Sequence, residues 1–176
     1  MKALYKADSI VNTIARILNL LSYLACAVMI LLTVADVILR AITGNPILGA
    51  YEITQYTLLT FIFASFAYTQ TEHGHIQVTM FLRILPRKVM FAIYAVMEVL
   101  STVFWVYFAY AAYLQAVYAF DKGYFAQVLK FPTYPFYALV CVCLIIFALT
   151  TLMSAIKTFA AMFNKEFGDE LFEKWF

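Results

Sequence analysis

Charged side chains are scarce in this sequence of 176 residues, where Asp, Glu, Lys and Arg together make up 12%. Hydrophobic residues make up 65%, well above the roughly 45 to 50% of a soluble domain. The scarcity of charge excludes a soluble domain and indicates an integral membrane protein. The net charge is only +2 and the basic residues are dispersed, which argues against a nucleic-acid-binding protein.

Residues that bind metals or act in redox chemistry are also few. The two histidines, His73 and His75, are two positions apart, whereas a structural zinc site needs four ligands. The three cysteines, Cys26, Cys141 and Cys143, lie in apolar runs, where a thiol is usually a small core residue. The sequence contains no nucleophile elbow, phosphate-binding glycine-rich loop or pair of catalytic carboxylates. We therefore expect neither an enzyme nor a chain that carries a metal or another cofactor.

Four apolar runs predict the fold, because each approaches or exceeds the roughly 20 residues that a helix needs to cross a bilayer. We predict an all-α integral membrane protein, a single four-helix domain over residues 1–176, with transmembrane spans at about 14–41, 50–71, 88–120 and 133–157. Amphipathic patterns in residues 1–16 and in the C-terminal DELFEKWF predict interfacial segments at both ends of the chain.

Three charged residues lie close to the turn between the first two runs. Asp36 and Arg40 are four positions apart on one helical face, an order that favours an ion pair. Glu52 lies in the first turn of the next helix, where a carboxylate suits the N-terminal dipole. We predict that the three charges meet at one water-facing end of a helical hairpin and clamp it, and the main alternative is the docking of a partner.

The second run carries a stripe of small residues at alternating spacings of three and four, which allows close approach of another helix. Its members are Thr57, Thr60, Ala64, Ala67 and Thr71. The stripe does not specify whether that helix belongs to this chain or to a separate subunit.

Glu98 interrupts the third run, which is too long for one upright span. Either this helix is strongly tilted, or its first turns lie along the interface before residues 99–120 cross the membrane. Glu98 is the nearest approach in the sequence to a proton- or ion-coupling group. The simpler interpretation is an interfacial carboxylate near Arg87 and Lys88, or one bonded to a partner helix.

The distribution of lysine and arginine predicts the orientation in the membrane. If both termini are cytoplasmic, nine of the 12 basic residues lie on the inner side. The three on the outer side are Arg40, Lys122 and Lys130. Both termini are therefore predicted to be cytoplasmic, and the Asp36 to Glu52 hairpin is predicted to be external.

An ordered set of residues in the middle of the chain resembles a known family. Its elements are Asp36-Val37-x-x-Arg40, Pro46, Gly49, Glu52 and His75-Ile76-x-Val78 ahead of a basic segment. Within a four-span layout, this set resembles the small membrane subunit of tripartite ATP-independent periplasmic (TRAP) transporters, the DctQ-like family. Many members carry an acid where Thr79 stands here.

The resemblance implies a secondary-active, sodium-coupled transporter for organic acids in the bacterial inner membrane. A periplasmic solute-binding protein would deliver the acid to a large membrane subunit, which would also hold the sodium. The present chain would be a scaffold for the large subunit, surrounded by membrane lipid, and would help to dock the binding protein. Asp36, Arg40, Glu52, His75 and Glu98 are then the interface or clamp candidates. The alternatives are an autonomous small transporter or channel, and a non-catalytic subunit of another membrane complex.

Overall fold

The computed structural model describes residues 2–72 and 86–163. These residues form four helices, which are α1, Lys2–Thr43; α2, Ala50–Thr71; α3, Arg87–Asp121; and α4, Tyr134–Phe163. The prediction of an all-helical fold is confirmed. The helix bounds lie close to the predicted spans except at Lys2, where α1 begins well before residue 14, and at Phe163, where α4 ends beyond residue 157. The C-terminal DELFEKWF segment lies outside the described residues, and the interfacial placement of both chain ends stays a prediction.

Three of these helices contain segments long and apolar enough to cross a membrane. The segments are Ser9–Thr43 in α1, Val89–Asp121 in α3 and Tyr134–Met162 in α4. The 22 residues of α2 would reach about 33 Å, but α2 is not among the candidate spans, and threonine and glutamine side chains lower its hydropathy. A fourth span at α2 therefore stays a prediction.

The helices form two antiparallel hairpins, α1 with α2 and α3 with α4, and α4 packs against each of the other three helices. α2 packs against both α1 and α4. Its exposed side chains follow one narrow stripe, which consists of Tyr51, Gln55, Leu58 and Ile62. The least apolar helix is thus the one with little surface left for lipid.

An aromatic cluster joins α2, α3 and α4 in the interior. The ring centroid of Trp105 lies 4.8 Å from that of Phe147 and 5.9 Å from that of Phe66. Ala67 and Ala15 are fully buried beside Phe147, so that α1 closes the cluster from the fourth side. Small residues on α1 and α2 make room for large rings on α3 and α4, which is how a helical bundle reaches close packing.

α3 is one continuous helix of 35 residues and runs through Glu98 without a break. At 1.5 Å per residue it is roughly 52 Å long, well above the roughly 30 Å of the hydrocarbon layer. The Glu98 side chain is buried against the bundle. Of the two predicted arrangements, a tilted continuous helix agrees better with this geometry than a change of direction near Val99.

Candidate functional site

Asp36 connects the end of α1 to the turn that follows it. One carboxylate oxygen accepts a hydrogen bond from the Arg40 guanidinium at 2.8 Å, and the other accepts one from the backbone N–H of Ile47 at 2.7 Å. The Asp36 side chain is largely buried, while that of Arg40 is 61% exposed. The ion pair expected from the four-residue spacing is therefore present in the structure, and its carboxylate also fixes the turn backbone.

Glu52 does not join this ion pair, contrary to the expectation that it would clamp the same hairpin. Its carboxylate accepts the backbone N–H of Val128 at 2.8 Å and that of Leu129 at 2.9 Å. Both donors belong to the α3–α4 loop, residues 122–133. Within residues 2–72 and 86–163, Arg40 forms an ion pair with Asp36 and none with Glu52. Glu52 thus ties the start of α2 to the other hairpin.

Two backbone hydrogen bonds inside the α3–α4 loop help to set the position of these donors. The N–H of Ala126 donates to Phe131 O at 2.9 Å, and the N–H of Lys130 donates to Ala126 O at 3.1 Å. Residues 127–129 form a single turn, and the N–H groups at the start of a turn have no partner within it. They point at Glu52, so the loop binds the carboxylate as a helix N-terminus binds an anion.

Both partners of the Glu52 carboxylate are backbone donors, one on each oxygen. The ionised form of a carboxyl group is acceptor-only, so it can accept both N–H groups at once.

Gly49 lies where the turn and the loop come together. Its φ is +78°, a left-handed conformation that favours glycine, and a Cβ there would lie 2.7 Å from the Leu129 methyl carbons. Gly44, at the other end of the turn, has a similar φ of +74° but nothing within 4 Å of its Cβ position. The turn thus needs glycine twice for its backbone, and at Gly49 also for contact with the loop.

A cavity of about 960 Å³ opens between the turn, the loop and the ends of α1 and α3. Its polar lining includes Asp36, Arg40, Glu52, Gln55, Gln115 and Tyr118. The sequence-predicted charges thus share one cavity without sharing one ion pair. Gln115 and Tyr118 were missed, because only the fold brings the end of α3 beside the first hairpin.

A second polar group lies deeper in the bundle. The Gln70 amide of α2 donates to both Glu98 oxygens, at 3.2 and 3.4 Å, and both side chains are buried. One turn farther along α3, the hydroxyl oxygens of Thr102 and of Thr151 on α4 lie 3.0 Å apart, within hydrogen-bond distance, and each hydroxyl also lies within hydrogen-bond distance of a carbonyl oxygen of its own helix. Glu98 is bonded to another helix of its own chain, which agrees with the interpretation of a carboxylate bonded to a partner helix, and its interfacial position stays a prediction. Gln70 could have been found, because a buried carboxylate needs a donor and amides are rare in the runs.

The small-residue stripe is used, at least in part, inside the chain. Ala64 and Ala67 are fully buried, while Thr57, Thr60 and Thr71 are partly exposed. The Thr60 and Thr71 hydroxyls donate to carbonyl oxygens of their own helix. Contact of this stripe with a further subunit stays a prediction. The remaining interface candidate, His75, lies outside the described residues.

One comparison with known proteins gives a match. The family model described as "Tripartite ATP-independent periplasmic transporters, DctQ component" matches residues 29–161, about three-quarters of the chain. The matched segment contains Asp36, Glu52, Gln70 and Glu98 together with the α3–α4 loop. A search of curated proteins finds no match.

Proposed function

Since the chain belongs to the DctQ family and is a small membrane component of a tripartite ATP-independent periplasmic transporter, we propose that it acts there as a scaffold for the large membrane subunit. The family match agrees with the resemblance noted in the sequence and supports a multi-pass protein of the inner membrane. A subunit that moves a solute across the membrane needs a neighbour that stays in place. The present chain is suited to that role.

The observation that carries this proposal is the pair of carboxylates that fix the two hairpins at one end. Asp36 holds the α1–α2 turn, and Glu52 holds the α3–α4 loop across 76 positions of sequence. Because each carboxylate binds backbone N–H groups, it fixes the path of the chain as well as a side chain. Two loops held in this way form a rigid surface at one end of the bundle, to which another protein can bind.

We place this end on the periplasmic side, since nine of the 12 basic residues then lie in the cytoplasm. The exposed Arg40 guanidinium and the polar cavity beside it would then face the solute-binding protein. A charged rim of this kind increases association rate and specificity more than affinity, which suits repeated docking.

In our proposal the organic acid and the sodium ions are handled by the large subunit. The polar contacts described inside this bundle link its own side chains to one another, as in Gln70–Glu98 and Thr102–Thr151. Such contacts stabilise helix packing in a membrane. We further propose that α2 is a fourth span, since its exposed stripe is narrow and it packs against both α1 and α4.

Co-purification of the tagged chain with the large subunit and the solute-binding protein tests this proposal. Replacement of Arg40 by Ala should weaken retention of the binding protein, and with it uptake of radiolabelled organic acids, without abolishing transport. Lys122→Ala is the matched control, because Lys122 is an exposed base at the same end and lies outside the Asp36 clamp. Equal losses in the two variants would contradict docking at Arg40, and a chain that never retains the large subunit would contradict the scaffold role.

A further inference from the structure

The outward faces of α1 and α3 differ in chemistry. α3 exposes three tyrosines within seven residues, Tyr107, Tyr110 and Tyr113, at 67%, 58% and 55%. Among residues 9–43 of α1, whose side chains are described, a single tyrosine is exposed, Tyr23, on a face made mainly of leucine, isoleucine and valine. We refer to Tyr107, Tyr110 and Tyr113 as the tyrosine face.

The tyrosine face lies within the hydrocarbon layer for either placement of α3. If the apolar segment Val89–Asp121 is centred in the bilayer, Tyr107 and Tyr110 lie roughly 3 and 8 Å from the midplane. If residues 99–120 alone cross, all three lie within roughly 5 Å of it. The half-thickness of the hydrocarbon layer is about 15 Å, so Tyr107 and Tyr110 lie well below the depth where tyrosines usually anchor a helix in both placements, while Tyr113 lies roughly 12 Å from the midplane in the first.

The three hydroxyls have no hydrogen-bond partner in the part of the chain that the structure describes. A hydroxyl group without a partner is costly in hydrocarbon, and lipid acyl chains offer no acceptor. Three such hydroxyls on adjacent turns therefore favour a protein neighbour that supplies acceptors at this depth.

The tyrosine face borders a groove between α3 and α4. The groove has a volume of about 360 Å³, and Tyr110 and Tyr113 line one side of it. Ala109 and Ala148, both buried where α3 packs on α4, also contribute to its lining. A groove of this size accepts individual side chains of a neighbouring helix, which is how ridges on one helix pack into grooves of another.

We propose that the tyrosine face and this groove bind a transmembrane helix of the large subunit, one that carries oxygen acceptors for the tyrosine hydroxyls. Serine, threonine, asparagine or glutamine side chains, or carbonyls of an interrupted helix, supply such acceptors within a bilayer. The inference rests on the proposed scaffold function and adds the location of the contact. The α1 face around Tyr23 presents one such hydroxyl, against three on α3, among leucine, isoleucine and valine side chains, and we assign it to lipid.

Photo-crosslinking in the assembled complex tests the location. The amino acid p-benzoylphenylalanine is introduced in place of Tyr110 or, as the matched control, in place of Tyr23, and native membranes are irradiated. Crosslinks to the large subunit from position 110 and none from position 23 support the proposal. Crosslinks from position 110 to lipid alone, or to a second copy of this chain, overturn it.

The hydroxyls are tested by the triple replacement of Tyr107, Tyr110 and Tyr113 by Phe, which retains the rings. Loss of the three interhelical hydrogen bonds should weaken retention of the large subunit by about twentyfold, which is equivalent to about 1.8 kcal/mol. Tyr23→Phe should leave retention unchanged. If wild type and the triple variant retain the large subunit equally well, the proposed contact at the tyrosine face is wrong, while the scaffold function stands. If wild type does not retain the large subunit, both fail.

Discussion

Glu52 and Glu98 are buried to nearly the same extent, at 9% and 8% exposed respectively, yet they stabilise different parts of the fold. Glu52 accepts two backbone N–H groups from a loop of the other hairpin. Glu98 is bonded by one side-chain amide, that of Gln70 on α2. The first contact fixes the path of the backbone at the loop end, and the second fixes the packing of helices inside the bundle. The exposed fraction of a buried carboxylate therefore does not reveal its role. The groups that donate hydrogen bonds to it, backbone for Glu52 and side chain for Glu98, do reveal it.

The largest loss of stability should come from Gly49→Ala, which disturbs the contact between the α1–α2 turn and the α3–α4 loop near Glu52 and leaves Glu98 unaffected. The left-handed backbone costs about 1 kcal/mol with alanine, and displacement of Leu129 adds about 1 to 3 kcal/mol. Gly44→Ala carries the backbone cost without the steric contact and is the matched control. Thermal unfolding in detergent measures the difference. Equal destabilisation by the two replacements would mean that the turn and the loop are not in contact.

Glu52→Gln should be the next most harmful change, because the amide nitrogen would face a backbone N–H that needs an acceptor. Thermal unfolding in detergent should give a lower midpoint for this variant than for wild type, since one of the two loop N–H groups loses its acceptor. A midpoint equal to that of wild type would show that the carboxylate does not hold the loop.

A smaller effect is expected at the other member of the comparison. A double-mutant cycle with Gln70→Leu and Glu98→Met should give a coupling energy of about 1 kcal/mol, the usual range for polar pairs between membrane helices. Each single replacement leaves one buried polar group without its partner and should cost more than the double replacement. Additive single effects would exclude the hydrogen bond between α2 and α3.

Arg40→Ala should change stability least, by about 0.5 kcal/mol or less, because the guanidinium is 61% exposed and water screens the ion pair. Asp36→Ala should cost more, since it also releases the Ile47 N–H. The two unfolding midpoints, measured side by side, separate the ion pair from the backbone clamp. A larger loss from Arg40→Ala than from Asp36→Ala would contradict this assignment.

The sequence was sufficient to predict those features that depend on residues close together in the chain. The Asp36–Arg40 pair follows from a spacing of four, and the helix limits follow from apolar runs broken by glycine, proline and charge. The partner of Glu52 could not be predicted, because the donors are backbone groups 76 and 77 positions away that carry no residue-type signal. The Gln70–Glu98 bond is intermediate, because side-chain chemistry indicated that a donor was needed and only the packing of α2 on the bundle specified which.

Reconstitution of the chain in liposomes, alone and with its partners, tests the scaffold role most directly. Uptake is measured with a panel of radiolabelled mono- and dicarboxylates under an imposed sodium gradient. We expect no accumulation of these acids in liposomes that contain this chain alone. We expect accumulation when the large subunit and the solute-binding protein are both added. Accumulation of any of these acids by the chain alone would contradict the scaffold role.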